Sequence, residues 1–549
     1  MDSRPLYRHI PAKFDLILQL QQAAIRADEI FIATDPDREG ESIAYHLQYI
    51  LKDQNKPIWR IDLTELSSEA ILSQLRQPRK INHHEVLACQ ARYVVDRLVG
   101  ARISPLLNPS NKKLLSAGRV QSAALALICE REKFIIRNQS KMDRKIQIKF
   151  RSADGTFFSG LVLHPLKNDL SCFSEKARHA LYTNLINQRL TIRAVSIEEF
   201  QLAQLAPLNT SCLLQEAIPY LGKSGKAIMR QLQHLYEGVE MDRTGLTSLI
   251  TYPRTEGKVF NPVAIREIYS FCDRQYSEND WVFREDIQNH GPWKEAIRPL
   301  HVNEIMAPAT VKNVLSKNLF ALYEFIWNRT LAVFLKPPQF QKITLSLGDE
   351  VGCFKVVCFR TRRAGYSAIL SAYPGKPEPL AERAFQKGEQ IMVNDIFQSD
   401  QHPRYRESDL IHELDQLGIG RPGTLAEILP LLLKRGYATI KDGLIEPTLL
   451  GEKINDFLQL HFNSVFRLTA TMELEKELSR ISEGAQNYGT TVSRFQQNLQ
   501  RAMDDYLIHK RSVDGNKDRL CEHCGMPMIK RRDRRGVFWS CRSDLHGTK

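Results

Sequence analysis

The order of apolar and polar residues changes period several times along the chain, and each change marks an element. Residues 14–27 repeat apolar positions at helical spacing and predict a helix, and Glu29-Ile30-Phe31-Ile32-Ala33-Thr34 is a short apolar run of strand type. The turn Asp35-Pro36-Asp37-Arg38-Glu39-Gly40-Glu41 ends that run, and Ile43, Leu47, Ile50 and Leu51 lay an apolar stripe on the helix that follows. From Ile146 to Glu199 the period drops to two, as in Lys145-Ile146-Gln147-Ile148-Lys149-Phe150, and it returns to two over residues 343–360 and 390–397. Between these stretches lies a helical block, in which residues 213–235 form two helices broken at Gly222-Lys223-Ser224-Gly225. A β region interrupted in this way predicts that the helical block forms a lobe of its own. Near Arg511 the periodicity stops, and residues 512–517 read as a linker. There is no internal repeat or low-complexity tract, and no apolar run approaches the roughly 20 residues that a membrane helix needs.

Charge and cysteine usage narrow the class. The 549 residues suffice for several domains, and 76 Lys+Arg against 63 Asp+Glu leave a formal charge of +13, which favours a polyanionic partner such as nucleic acid. Cys89, Cys129, Cys172, Cys212, Cys272, Cys353 and Cys358 are scattered without a disulfide framework, and residues 1–20 lack a signal-peptide pattern. Both features predict a reducing, cytoplasmic setting with no membrane partner.

Candidate chemistry sits at a few places. Asp35, Asp37 and Glu39 alternate at the carboxyl end of a strand, so one turn offers three hard oxygen donors to Mg²⁺; the same acids also suit the N-terminus of the next helix. In Leu249-Ile250-Thr251-Tyr252-Pro253-Arg254-Thr255-Glu256-Gly257 a phenol lies between an apolar run and a cationic turn. Tyr252 can attack a phosphodiester and hold the broken strand as an ester, and Arg254, beyond the φ-restricting Pro253, can offset charge on the phosphate oxygens. Taken alone, the same residues also describe an aromatic packed at a strand end. Arg97, Ser116, Gly118, Arg119 and Gln121 combine small residues with phosphate or sugar donors, or else are helix ends with snorkelling arginines. Arg404, Tyr405 and Arg421 suit a groove that follows a single strand and stacks one base on Tyr405, unless that ring is a packing residue. Lys294 is a phosphate-neutralising cation or a plain surface charge, and Arg298 follows it in Glu295-Ala296-Ile297-Arg298-Pro299. At the end of the chain Cys521-Glu522-His523-Cys524 opens a zinc-ribbon pattern, Cys541 supplies a third thiolate, and His523 or His546 competes for the fourth position.

Gly245-Leu246-Thr247 followed by residues 249–255 resembles the active-site segment of type IA DNA topoisomerases, and Asp35-x-Asp37-x-x-Gly40 resembles part of the Toprim fold. Residues 92–100, 115–122, 129–132, 295–299, 417–424, 447–452 and 469–473 continue the match in order, over most of residues 14–485. The resemblance implies a multidomain α+β chain. It places a partial Toprim α/β domain at 1–80, a helical single-strand-binding domain at 81–138 and 400–510, a β-rich arch at 139–208 and 335–399, and an active-site tyrosine domain at 209–334. Together these form a toroid, with a zinc-ribbon-like tail at 515–549. The implied activity is ATP-independent relaxation of negatively supercoiled DNA. Tyr252 cuts one strand as a 5′-phosphotyrosine, Arg254 stabilises charge, and Asp35, Asp37 and Glu39 place Mg²⁺. Arg97, Ser116, Gly118, Arg119, Gln121, Lys294, Arg298, Arg404, Tyr405 and Arg421 hold the single strand, and Cys521, Cys524 and Cys541 hold Zn²⁺. The expected form is a monomer on nucleoid or plasmid DNA.

Three departures stand out. Lys294 replaces the histidine that usually precedes the family's Glu, and Gly423 replaces a serine. The family's opening strand, which ends in a Glu and a Ser-Pro-Ala-Lys turn, has no counterpart before Asp35. That Glu is the family's general acid for the leaving 3′ oxygen. The expectation is therefore either a chain that lacks its natural N-terminus, through a late assigned start, a separately encoded N-terminal piece or an incomplete sequence, or an impaired or inactive remnant that still binds single-stranded DNA. A Toprim nuclease or primase is a third reading, and the Tyr252 segment stands against it.

Overall fold

The computed structural model describes residues 5–52, 56–108, 115–137, 144–163, 179, 182–241, 245–288, 295–303, 305–348, 353–400, 403–515, 528–533 and 536–541. Two compact units divide the chain. Met1–Glu130, Ser224–Arg230 and Tyr405–Lys549 form one, and Arg131–Lys223 with Gln231–Arg404 form the other.

The first unit begins with the helix Phe14–Arg26 and a short parallel pair, Ile30–Ile32 beside Ile58–Arg60. The predicted strand is thus shortened to three residues. The chain turns immediately afterwards, where Thr34 Oγ1 donates to the Gly40 carbonyl at 2.6 Å. Asp37 caps the helix Arg38–Leu51 by accepting from the Gly40 N–H at 2.7 Å, which satisfies one of the helix's orphan donors. The inward face of this helix is Ala44, Leu47 and Leu51, whereas Ile43 is 52 % exposed. Leu47 and Leu51 of the expected stripe therefore hold, and Ala44 takes the inward place expected of Ile43, because positions 44, 47 and 51 share a face at 3.6 residues per turn. Elsewhere in this unit Ala88, Ala91 and Val95 on the helix His83–Arg102 pack against Leu474, Leu478 and Ile481 on Leu468–Ser482, and against Tyr488 and Val492 on Tyr488–Gly515. The two alanines leave room for the larger aliphatics opposite.

Gly40 shows how tightly the acidic turn is folded. A Cβ built there would lie 2.0 Å from the Asp35 carbonyl oxygen, a backbone atom with nowhere to go. Gly40→Ala is expected to destabilise the first unit by about 1–3 kcal/mol or more, measured as a shift in its denaturation midpoint.

In the second unit six antiparallel strands close into a barrel. Their order is Gln390–Asp400, Arg144–Ser152, Phe157–Val162, Cys353–Arg363, Gln339–Gly348 and Arg189–Gln201, which pairs back to the first. Alternation decides which side chains fill it: Ile146, Ile148 and Phe150 point inward, as do Ile343, Leu345 and Leu347. The ring is closed by short pairings, residues 390–392 with 189–191 and residues 161–162 with 356–357. The helical block between residues 201 and 339 belongs mainly to the same unit. Its first helix, Thr210–Leu221, stops at Gly222, whose φ of 62° is the left-handed conformation that favours glycine at a helix end. Near the C-terminus Met528–Asp533 pairs with Gly536–Cys541 as an antiparallel hairpin. Among the described residues no helix is long and apolar enough to cross a membrane.

Candidate active site

Tyr252 lies in a non-regular segment whose neighbours are tied down on both sides. Upstream, the Thr251 N–H donates to the Arg298 carbonyl at 3.0 Å, and the Thr251 hydroxyl donates to the Ala296 carbonyl at 2.8 Å while accepting from the Arg298 N–H at 3.0 Å. Ile250 bridges Pro299 in the same antiparallel sense. Downstream, Thr210 at the start of the helix Thr210–Leu221 grips the turn. Its hydroxyl lies 2.7 Å from the Pro253 carbonyl and 3.0 Å from the Thr255 carbonyl, and accepts from the Thr255 N–H at 2.8 Å. The Thr210 N–H also donates to the Thr255 carbonyl at 3.0 Å. Both peptide carbonyls that flank Arg254 are thereby fixed, and the Arg254 side chain is half-buried. The Tyr252 ring is buried and meets the Tyr236 ring edge-on, with centroids 5.4 Å apart at 74°.

The acidic turn in the first unit is braced by arginines. Arg60, fully buried, donates to the Asp35 carbonyl at 2.7 Å, to the Ile32 carbonyl at 3.3 Å and to the Ile61 carbonyl, and pairs with Glu41 at 3.1 Å. Arg79 reaches both Glu41 oxygens at 2.7 Å and both Asp62 oxygens at 2.6 and 2.8 Å. Glu41, the fourth acid of the run, is thus a structural carboxylate. Among the described residues no three His, Cys, Asp or Glu side chains stand together as a metal site. Of the three candidate donors Asp35, Asp37 and Glu39, Asp37 directs one oxygen at the helix N-terminus. The donors still suit Mg²⁺ in its usual mode, in which one or two carboxylates act together with substrate phosphates and water.

This geometry can be set beside known proteins. A DNA topoisomerase family model matches residues 80–493, and a Toprim domain model matches residues 5–66. The chain belongs to the type IA DNA topoisomerases. It is 32 % identical over 500 residues to DNA topoisomerase 1 of Rickettsia bellii (strain RML369-C), covering 86 % of this chain and 61 % of the relative. DNA topoisomerase 1 of Rickettsia felis (strain ATCC VR-1525 / URRWXCal2) is also 32 % identical, over 495 residues, covering 86 % and 63 %. The chain therefore spans under two thirds of the length of these curated relatives. The solved structure of full-length topoisomerase I from Thermotoga maritima superposes with a TM-score of 0.75 at 28 % identity, covering 99 % of this chain and 89 % of that one.

In this type IA topoisomerase the expected DNA contacts fall into two groups. Arg97 is exposed on the helix His83–Arg102, in keeping with a role toward solvent or a ligand. Most of the other described ones have protein partners. Arg119 is buried, with Asp96 at 2.8 Å and Glu475 at 3.0 Å, and Arg298 is buried between Glu295 at 2.7 Å and the carbonyls of Pro299 and Leu300 at 2.9 and 3.0 Å. Carboxylates and carbonyls inside the protein thus engage both guanidiniums. Arg421 donates to Ser479 Oγ at 2.9 Å and faces Glu475 at 3.5 Å, and Arg404 makes a two-pronged pair with Glu132 at 2.7 and 2.8 Å. Tyr405 is buried at 7 % exposure. Gln121 donates to the Ser116 carbonyl at 3.2 Å, and Ser116 is held again by the Tyr437 hydroxyl at 3.0 Å. A Cβ on Gly118 would meet only Gln121, at 3.6 Å, so packing inside the protein does not demand glycine there. Lys294, Cys521 and Cys524 lie outside the described residues. Cys541 ends the last strand, and its side chain also lies outside them.

Thr210, Arg60 and Glu41 escaped the sequence reading. The partners of Thr210 and Arg60 lie tens of residues away, and Glu41 looks like its acidic neighbours until Arg60 and Arg79 fold onto it.

Proposed function

We propose that this chain cuts and rejoins one strand of DNA through Tyr252, and so relaxes negative supercoils without ATP. The observation that carries this reading is the Tyr252-Pro253-Arg254 turn, clamped by Thr251 on one side and Thr210 on the other. A clamped turn holds a nucleophile and a charge stabiliser at a set separation, which is how positioning lowers a barrier. Family membership supports the same chemistry.

In the cleavage step the Tyr252 oxygen attacks the phosphorus and gives up its proton. The P–O3′ bond breaks, and the 3′ oxygen takes a proton and leaves as a hydroxyl. The downstream strand stays on Tyr252 as a 5′-phosphate ester, which conserves the bond energy for the reverse attack. Arg254 supplies positive charge to the phosphate oxygens as they crowd the five-coordinate phosphorus. Asp35 and Asp37, with Glu39, would hold Mg²⁺ and so add fixed positive charge near a phosphate. Because the Tyr252 ring is buried, the ring must be uncovered before a strand can reach it.

The test mixes the full chain, Mg²⁺ and 3′-end-labelled single-stranded DNA, then quenches in denaturant. Label bound to the protein is the expected result. Tight, salt-sensitive binding with no adduct would instead indicate a chain that holds a strand without cutting it.

Thr210→Val bears on the clamp. It removes the acceptor for the Thr255 N–H and the donor to the Pro253 carbonyl, in a site with no exposure at Thr210. It should lower single-turnover cleavage by about 10²-fold and cost about 1–3 kcal/mol of stability, with Thr210→Ser restoring both.

A further inference from the structure

The helix Arg38–Leu51 has the acidic turn at its N-terminal end and a cluster of opposite charge at its other end. Tyr45, Tyr49 and Lys52 sit at i, i+4 and i+7 and share a face. With Lys56 and Lys80 they line a cleft of about 430 Å³, and among the described residues none of its lining side chains is acidic. Two of the ammonium groups rest on ring faces: Lys80 Nζ lies 3.7 Å from the centre of the Trp59 ring, and Lys52 Nζ lies 4.4 Å from that of Tyr49. Tyr49 is 58 % exposed, while Tyr45 is half-buried and braced edge-on by His83 at 5.9 Å. From Asp37 to Tyr49 the helix advances by roughly 18 Å, so this cleft is separate from the acidic turn.

A lysine-rich surface by itself only solvates a fold. Here flat rings alternate with the cations, and that combination fits a ligand carrying both a ring and a phosphate. A phosphate draws an ammonium off the ring, and a base takes the vacated face, so each group exchanges one partner for another. We propose that this cleft binds a segment of single-stranded DNA, with one base on Tyr49 and backbone phosphates on Lys52, Lys56 and Lys80. It is a second strand-holding site, and it rests on the reading of DNA as the partner of this chain.

The experiment photocross-links the full chain to an oligothymidylate containing 4-thiothymidine and maps the linked peptides. Tyr252-dependent adduct formation is scored on the same preparations with a short oligonucleotide. Cross-links within residues 45–59 are expected. Lys52→Ala/Lys56→Ala/Lys80→Ala should reduce them at least about tenfold and lower the slope of log affinity against log salt by about 2, with adduct yield unchanged. Tyr49→Ala, at an exposed position, should reduce the cross-link without altering the salt slope. Cross-links confined to other peptides, or unchanged in the triple variant, would overturn the proposal. So would thymidine monophosphate competing as well as the oligonucleotide, which would assign the cleft to free nucleotides. An adduct without cleft cross-links removes the second site alone, and cross-links without an adduct leave the cleft standing while the cleavage reading fails.

Discussion

Tyr252→Phe is expected to eliminate the covalent protein–DNA adduct, a loss on the order of 10⁴-fold or more, while affinity for single-stranded DNA stays within about twofold. The substitution removes one oxygen and keeps the ring, including its edge-on contact with Tyr236. The clamps on Thr251 and Thr255 act through backbone and neighbouring hydroxyls, and none of them uses the Tyr252 phenol. Stability should therefore change by no more than about 1.5 kcal/mol. Gel analysis of labelled adduct, together with a binding isotherm on the same preparation, separates lost chemistry from lost fold. Persistence of the adduct in the Phe variant would identify a different nucleophile and end the present assignment. Arg254→Ala should lie between the two, with binding retained and cleavage slowed by about 10²–10³-fold, the cost of removing one charge stabiliser.

Glu41→Ala should be the most destabilising change in the first unit, at about 3–5 kcal/mol, because it strands Arg60 in the interior and removes the anchor of Arg79. Burial alone would raise the Glu41 carboxyl, but the hydrogen bonds from Arg79 and the Asn82 N–H, and the charges of Arg79 and Arg60, outweigh it and hold the group below its ordinary value. A carboxylate depressed in this way stabilises the fold fully above its unfolded value of about 4.3 and loses that contribution as pH falls through its folded value. Glu41→Gln keeps the shape and discards the charge, so its unfolding midpoint should lose part of the wild type's dependence on pH below about 4.3. An unchanged acid limb in Glu41→Gln would show that the network contributes no pH-dependent stability. The same variants test the brace on Asp35, since Arg60 holds its carbonyl from one side and Gly40 closes on it from the other.

Much of the candidate chemistry was legible because it is local. Tyr252 and Arg254 are two residues apart, and Asp35, Asp37 and Glu39 fall in one turn. Their proximity does not depend on how the rest of the chain folds. The period-two stretches around residues 146, 343 and 390 were legible as strands for the same reason. Their closure into one barrel was not, because it depends on Gln390–Asp400 finding both Arg144–Ser152 and Arg189–Gln201. The buried carboxylate partners of Arg119 and Arg298 were not legible either. In a motif, an arginine bound for a phosphate and one bound for a buried carboxylate are the same letter.

The sequence by itself determined the inventory: a phenol beside a guanidinium, a run of four acids after an apolar strand, an excess of positive charge, and two periodicities that separate helices from strands. Only the tertiary structure decided how those groups are used. It sent Glu41 to Arg60 and Arg79, closed Asp96 and Glu475 around Arg119, and brought Thr210 across more than forty residues to grip the Tyr252 turn. The reason is physical. Periodicity and turn chemistry are set by neighbours along the chain, whereas burial and charge pairing are set by whatever the fold places alongside.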